Sequence, residues 1–239
     1  MHTFVLIHGA WHDGSAFKET SEFLVSKGHK VFTPTIFGNR PGDPKNIDLE
    51  PAISSIVNYI QELKLSDVIL CGHSYGGMII TGVADRLEKK MRRLVYWNAF
   101  VPNDGESLES LVNEQFVNLA NTLTQPDGSF LLPFSIWREM FVNDDSHQLA
   151  LRTYETLNPH PRNTFTQPIS LSKNPSEFKI GKSYINCLED TALPQSDGWH
   201  PRLSEKLGLF RLIQVKGGHE LCYTNPKKLA KAFLKAARD

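Results

Sequence analysis

Apolar and polar positions follow two rhythms along the first hundred residues. Short apolar runs at 3–8, 30–34, 67–71 and 93–98 have strand character. Between them lie segments of helical length, at about 15–27, 50–64 and 75–89. In the second of these, Ile53, Ile56, Val57, Ile60 and Leu63 fall three and four residues apart and make one apolar stripe. Strands alternating with helices imply parallel pairing and a sheet covered on both faces, a doubly wound α/β architecture. From about Val101 to Lys179 the alternation stops, and proline, asparagine and aromatic residues become frequent. Helical patches are expected there near 107–121, 135–142 and 145–157. The alternation then resumes with a strand at 182–188, a short helix at 200–207, a strand at 210–215 and a helix at 226–238. Asn225-Pro226 marks the start of that last helix, with Asn as N-cap and Pro in the first turn. The chain thus divides into a core of 1–100 and 180–239 and an insertion of 101–179, expected to cap the sheet edge where α/β proteins carry their active loops.

Composition narrows the partners. The 239 residues suffice for one sizeable core. Lysine plus arginine (26) balances aspartate plus glutamate (26), so no electrostatic footprint favours nucleic acid or an acidic membrane. No apolar run reaches transmembrane length, and no signal peptide is expected, because the chain enters a strand at Thr3. The cysteines Cys71, Cys187 and Cys222 are widely spaced, odd in number and without metal-ligand spacing. They read as reduced core thiols of a cytoplasmic protein. A small-molecule partner is favoured, and a homodimer is left open.

The chemistry-bearing segment is Gly72-His73-Ser74-Tyr75-Gly76, between the strand ending at Cys71 and a helix-length stretch. A serine on a tight strand-to-helix turn is raised above the sheet edge at a helix N-terminus, which is how α/β folds present a nucleophile. The bland reading of Ser74 by itself is an ordinary helix cap. A serine hydroxyl needs a base to take its proton, and a carboxylate to orient that base. Of nine histidines, His219 follows the last strand and emerges on the Ser74 side of the sheet. His8 and His73 flank glycine turns and are expected to brace them, and the remaining histidines to be solvated. Asp190 follows the strand 182–188 and lies between Ser74 and His219 in chain order. Glu189 and Asp197 are weaker competitors. Asn98, at the end of the strand two before, carries no charge. For the oxyanion, the backbone N–H of Tyr75 and that of Ala10, in the His8-Gly9-Ala10-Trp11 turn, are the expected donors.

These residues resemble the α/β-hydrolase fold. The segments are Phe4–His12, Gly72–Met78, Tyr184–Pro194 and Gly217-Gly218-His219. Within that fold they are similar to the branch of plant methyl esterases, hydroxynitrile lyases and bacterial pyrethroid-type carboxylesterases. Val31–Thr35 and Ala99–Gly105 are similar to the bacterial members. The resemblance implies a triad of Ser74, Asp190 and His219, with Ala10 and Tyr75 forming the oxyanion hole, and a cap inserted after the sixth-strand position of that fold. It implies cleavage of a carboxylic ester of a small, largely apolar substrate through an acyl-enzyme, with no cofactor or metal. Trp11, His12 and Trp137 are candidate substrate contacts, and of the cap aromatics Phe116, Phe130, Phe134, Trp137 and Phe141 most are expected to pack rather than to bind. The chain departs from the bacterial pattern at Asn98, usually Asp and read here as structural. It departs again at Asp13–Phe17, where a Gly-Gly-Trp run is usual and an altered entrance wall is expected. Related hydroxynitrile lyases place Lys at the position of Glu220, and cofactor-free dioxygenases place His at that of Tyr75, so both chemistries are disfavoured. The same residues would also serve a lactonase, or a ligand-binding receptor with low turnover.

Overall fold

In the computed structural model, which describes residues 1–238, alternate residues of the sheet strands feed two separate cores. Six parallel strands form the sheet in the order β2-β1-β3-β4-β7-β8. They are β1 (Thr3–Ile7), β2 (Lys30–Phe32), β3 (Val68–Ser74), β4 (Met91–Ala99), β7 (Gly181–Cys187) and β8 (Arg211–Val215). On one face Val5, Ile7, Leu70, Leu94 and Tyr96 meet α2 (Leu49–Glu62) and α3 (Gly76–Leu87). On the other, Phe4, Leu6, Ile69, Val95 and Trp97 meet α1 (Lys18–Ser26) and α9 (Pro226–Ala236). Because both faces are covered, the central strands read as continuous apolar runs rather than alternating ones. Each fully buried aliphatic side chain contributes about 1.5–3 kcal/mol relative to exposure. The predicted start of α9 is present: the Asn225 side chain accepts from the Lys228 N–H at 3.0 Å, with Pro226 in the first turn.

Two strands differ from expectation. The sequence places ends at 71 and 98, whereas β3 runs to Ser74 and β4 to Ala99. Polar His73 and the glycine turn conceal that the ladder continues, pairing His73 with Trp97 and, past a register shift at Asn98, Ser74 with Ala99.

Between β4 and β7 lie α4 (Glu114–Leu123), α5 (Phe134–Ile136), α6 (His147–Tyr154) and α7 (Asn163–Thr166). Two short antiparallel strands, β5 (Ser129–Phe130) and β6 (His160–Pro161), also lie here and were not legible, since two-residue strands carry no periodicity. The short helix α8 (Leu221–Thr224) links β8 to α9.

The sheet order reverses between β1 and β3. Chain crossovers leave in opposite directions at such a switch point, which opens a crevice beyond the strand ends. The turns after β1 and β3 border that crevice. Close backbone approach holds it together. An added Cβ on Gly76 would sit 2.8 Å from the Ile7 and His8 carbonyl oxygens, and one on Gly77 only 2.0 Å from the Phe100 carbonyl oxygen. The Gly77→Ala variant is therefore expected to lose on the order of 2–4 kcal/mol in urea unfolding, and native stability in that variant would contradict the packing described.

Candidate active site

Ser74 is the last residue of β3 and has φ 53°, a left-handed conformation that costs a non-glycine residue on the order of 1–3 kcal/mol. The Phe100 N–H bonds the Ser74 carbonyl at 3.1 Å and helps to fix it there. The Gly9 turn comes close: a Cβ added at Gly9 would lie 3.2 Å from the Ser74 Cβ. Trp11, next along that turn, is also left-handed (φ 64°). It is held by its indole N–H to the Phe130 carbonyl at 3.2 Å and by the Asn158 N–H to its own carbonyl at 2.6 Å.

Ala10, Trp11, Ser74 and Tyr75 together border a narrow apolar cavity. A second, roomier outer cavity shares Phe116, Phe141, Ala192 and Leu193 with it. Among the described residues no charged side chain lines either one.

Asp190 and His219 meet behind this wall. The His219 Nδ1 donates to Asp190 Oδ2 at 2.6 Å, which leaves Nε2 to accept a proton. His219 is 1 % exposed; its ring stacks on Trp199 at 5.3 Å and meets the edge of Phe141 at 5.2 Å, and both of these line the inner cavity. Burial works against the imidazolium, but the Asp190 carboxylate more than offsets it and raises the His219 pKa above the ordinary 6.5. Asp190 Oδ1 accepts from the Ala192 N–H at 2.8 Å. Of the competitors, Glu189 faces outward to Lys216 at 3.6 Å and Asp197 accepts from Asn113 at 2.9 Å.

The structure brings Ser74, Tyr75, Ala10 and Trp11 to one cavity, with the Asp190–His219 pair against its wall. It does not bring His12 or Trp137 to the lining. The Trp137 indole bonds the Ala150 carbonyl at 3.1 Å, in the packing of the inserted segment. Phe116 and Phe141 line the cavities, whereas Phe130 and Trp137 pack behind them and Phe134 packs on Tyr154. The Asp13–Phe17 departure also falls elsewhere than expected. Asp13 caps a short turn by accepting from the Ser15 N–H at 2.8 Å, and Phe17 packs against Trp97, so neither is an entrance wall.

His8 and His73 brace turns as expected. His8 donates to the Gly9 carbonyl at 2.8 Å and accepts from the Ile36 N–H at 3.0 Å, and burial pushes its pKa down to about 4. His73 Nε2 donates to the His219 carbonyl at 3.1 Å while its ring stacks on Trp97 at 3.9 Å. His160, expected to be solvated, is fully buried; it bonds Asn39 at 3.1 Å and Thr164 at 3.0 Å.

Sequence reasoning missed two supports. Asn98 donates through Nδ2 to Asp190 Oδ2, the same oxygen that His219 holds, and accepts from the Cys187 N–H at 2.8 Å. Asp144, from the inserted segment, accepts from the Gly218 N–H at 2.7 Å and so grips the loop that carries His219. The position of Asn98 at a strand end signalled the first; nothing in the spacing signalled the second.

The comparisons with known proteins agree with this architecture. A model of the alpha/beta hydrolase family matches residues 4–232. The chain belongs to that family. A carbendazim hydrolyzing esterase from Nocardioides sp. (strain SG-4G) is 34 % identical over 96 % of this hydrolase and 97 % of the relative. The pyrethroid hydrolase of Sphingobium wenxiniae is 27 % identical over 96 % and 85 %. A solved extracellular α/β-hydrolase from a Paenibacillus species, described as sharing structural and functional homology with tobacco salicylic acid binding protein 2, superposes with a TM-score of 0.96. It is 36 % identical and matches along the whole of both chains. With esterases among such relatives, this α/β-hydrolase is a carboxylesterase-type hydrolase. Among the described residues no helix is long and apolar enough to cross a membrane.

Asn98→Asp would set a carboxyl in place of the amide that donates to Asp190, so one of the two must hold a proton. The folded-state pKa of the new group is then raised, and the penalty is absent at low pH and grows as pH rises. Urea unfolding should show a loss about 2 kcal/mol larger at about pH 8 than at about pH 4.5, and equal losses would contradict the contact.

Proposed function

We propose that this enzyme is a serine hydrolase that cleaves neutral, largely apolar carboxylic esters through an acyl-enzyme. The observation that carries the reading is the strained Ser74 turn opening on an apolar cavity, with an imidazole–carboxylate pair against the same wall. His219 Nε2 takes the Ser74 hydroxyl proton as Oγ attacks the ester carbonyl carbon. The carbonyl oxygen becomes an oxyanion that accepts from the Ala10 and Tyr75 N–H groups. The tetrahedral intermediate collapses, the alkoxide leaves with the proton held by His219, and an acyl-Ser74 ester remains. Water, deprotonated by His219, attacks that ester and releases the acid. Asp190 stabilises the imidazolium in both halves.

Substrate class follows from the lining. A charged acid or amine placed in either cavity would lose its hydration and find no counter-charge. The two cavities, which share a wall, suit an ester whose halves are unequal in size. The relatives named as a carbendazim hydrolyzing esterase and a pyrethroid hydrolase are consistent with ester hydrolysis. The position after His219 supports hydrolysis over cyanohydrin cleavage: the residue there is Glu220, a buried carboxylate beside His12, where the related lyases place a lysine. We propose a cytoplasmic location on the three unpaired buried cysteines, although the Paenibacillus relative is extracellular.

Ser74→Ala should lower kcat/KM for a p-nitrophenyl ester by about 10⁴-fold or more, and abolish labelling by a fluorophosphonate, with the fold intact by circular dichroism. Full activity in that variant would overturn the mechanism. A base must be neutral to act, and the His219 pKa is raised. The acid limb of kcat/KM against pH should therefore lie above 6.5, and a limb below that value would contradict the Asp190–His219 coupling.

A further inference from the structure

One buried ionic pair beside the site has no part in the chemistry above. His12 and Glu220 are 3 % and 1 % exposed, and His12 Nε2 lies 3.3 Å from Glu220 Oε2. The other ring nitrogen, Nδ1, lies 2.7 Å from the Ala10 carbonyl oxygen. Nδ1 thus has an acceptor, whereas Nε2 lies within ion-pair distance of the carboxylate without hydrogen-bond geometry, so the contact between His12 and Glu220 is one of charge. The ring faces are covered too, by Tyr223 stacked at 5.8 Å and Trp137 tilted at 5.6 Å, an arrangement that favours a cation. Glu220 Oε1 has no hydrogen-bond partner among the described residues, and the Cys222 thiol, 3.5 Å from Oε2, is a weak donor. A buried carboxylate so poorly solvated needs a cation at its other oxygen.

We propose that His12 is a standing imidazolium boxed by the Ala10 carbonyl, the Glu220 carboxylate and the rings of Trp137 and Tyr223, and that it is a positioning residue joining the Ala10 turn to the His219 loop. Ala10 and Glu220 lie on different loops, one after β1 and the other after β8, and His12 is the bridge between them. The link fixes the Ala10 peptide relative to the base one residue before Glu220. The function assigned to the link rests on the serine-hydrolase reading, whereas the charge state does not.

The groups that face His12 are few. His8 and Asp13 come from its own turn, His73 from β3, His219 and Glu220 from the loop after β8, Cys222 and Tyr223 from α8, and His160 from β6. His8, His73 and His160 are driven neutral by burial, so the anion nearest to His12 is Glu220. Burial disfavours charge on His12, and the Glu220 carboxylate more than offsets it and raises the pKa.

The test has two arms. In ¹⁵N-histidine-labelled protein, long-range ¹H–¹⁵N spectra should show one doubly protonated ring at about pH 8, above the ordinary 6.5 of histidine. Loss of that signal in His12→Asn identifies it. The signal should persist in Ser74→Ala, so this arm stands even if the serine mechanism fails. A neutral His12 at that pH, with the proton on Glu220 or lost, overturns the proposal. In the second arm, Glu220→Gln should leave KM within about twofold and lower kcat by about tenfold to a hundredfold, as misplacing a donor does. It should also turn the His12 signal neutral. A folded Glu220→Gln enzyme with native kcat overturns the positioning role. If that variant does not fold, the wild-type spectrum still decides the charge.

Discussion

Ser74 stands at φ 53° between a fully buried strand and a buried helix, and backbone of that hand relaxes unless its neighbours forbid it. Here they do so through close contact of main chains. Gly72 abuts the Gly76 carbonyl, where an added Cβ would lie 2.7 Å away; Gly76 abuts the end of β1, and Gly77 abuts Phe100 at the end of β4. Three adjacent strand ends, β1, β3 and β4, are thereby locked to one turn. The same contacts bring the Ala10 turn beside Ser74. Strain at the serine and the shape of the crevice are consequences of one packing arrangement.

Charge is then placed around this turn with economy. The cavity walls are apolar, and the ionisable groups lie one layer behind them, in two carboxylate–imidazole pairs. The polar atoms of His73, His219 and Glu220 come within 4.8 Å of one another, so the two pairs share a low-dielectric pocket. Asn98 donates to one carboxylate, whereas among the described residues Glu220 has only His12 and a thiol beside it. Asp190 is thus held from several sides. Glu220 depends on a single cation, which ties the protonation of His12 to the geometry of the loop that carries the base.

Much of this was legible in the sequence because it depends on order along the chain. Parallel strands deliver their ends to one edge, so a serine, an acid and a histidine each following a strand must converge there. The end of β3 was not legible, since His73 and Ser74 look like turn residues and pair with β4, across a register shift that leaves Asn98 out of the ladder. The partners of His12 were not legible either, because Glu220 is more than two hundred residues away and nothing local marks the pair. Burial of His160 escaped for the same reason: its partners Asn39 and Trp11 come from the other end of the chain. Side chains of the inserted segment sort into lining and packing only through tertiary contact, so Trp137 and Phe116 are alike in sequence and different in place.

The central claim is that Ser74 carries the acyl group. A rapid-quench experiment with a p-nitrophenyl ester tests it most directly: phenolate release is followed on the millisecond scale, and the quenched protein is mapped by mass spectrometry. A burst equivalent to about one turnover per active site is predicted wherever deacylation is slower than acylation, with the acyl mass on the peptide containing Ser74. Acyl mass on another residue, or ester turnover with no covalent adduct at any quench time, would contradict it.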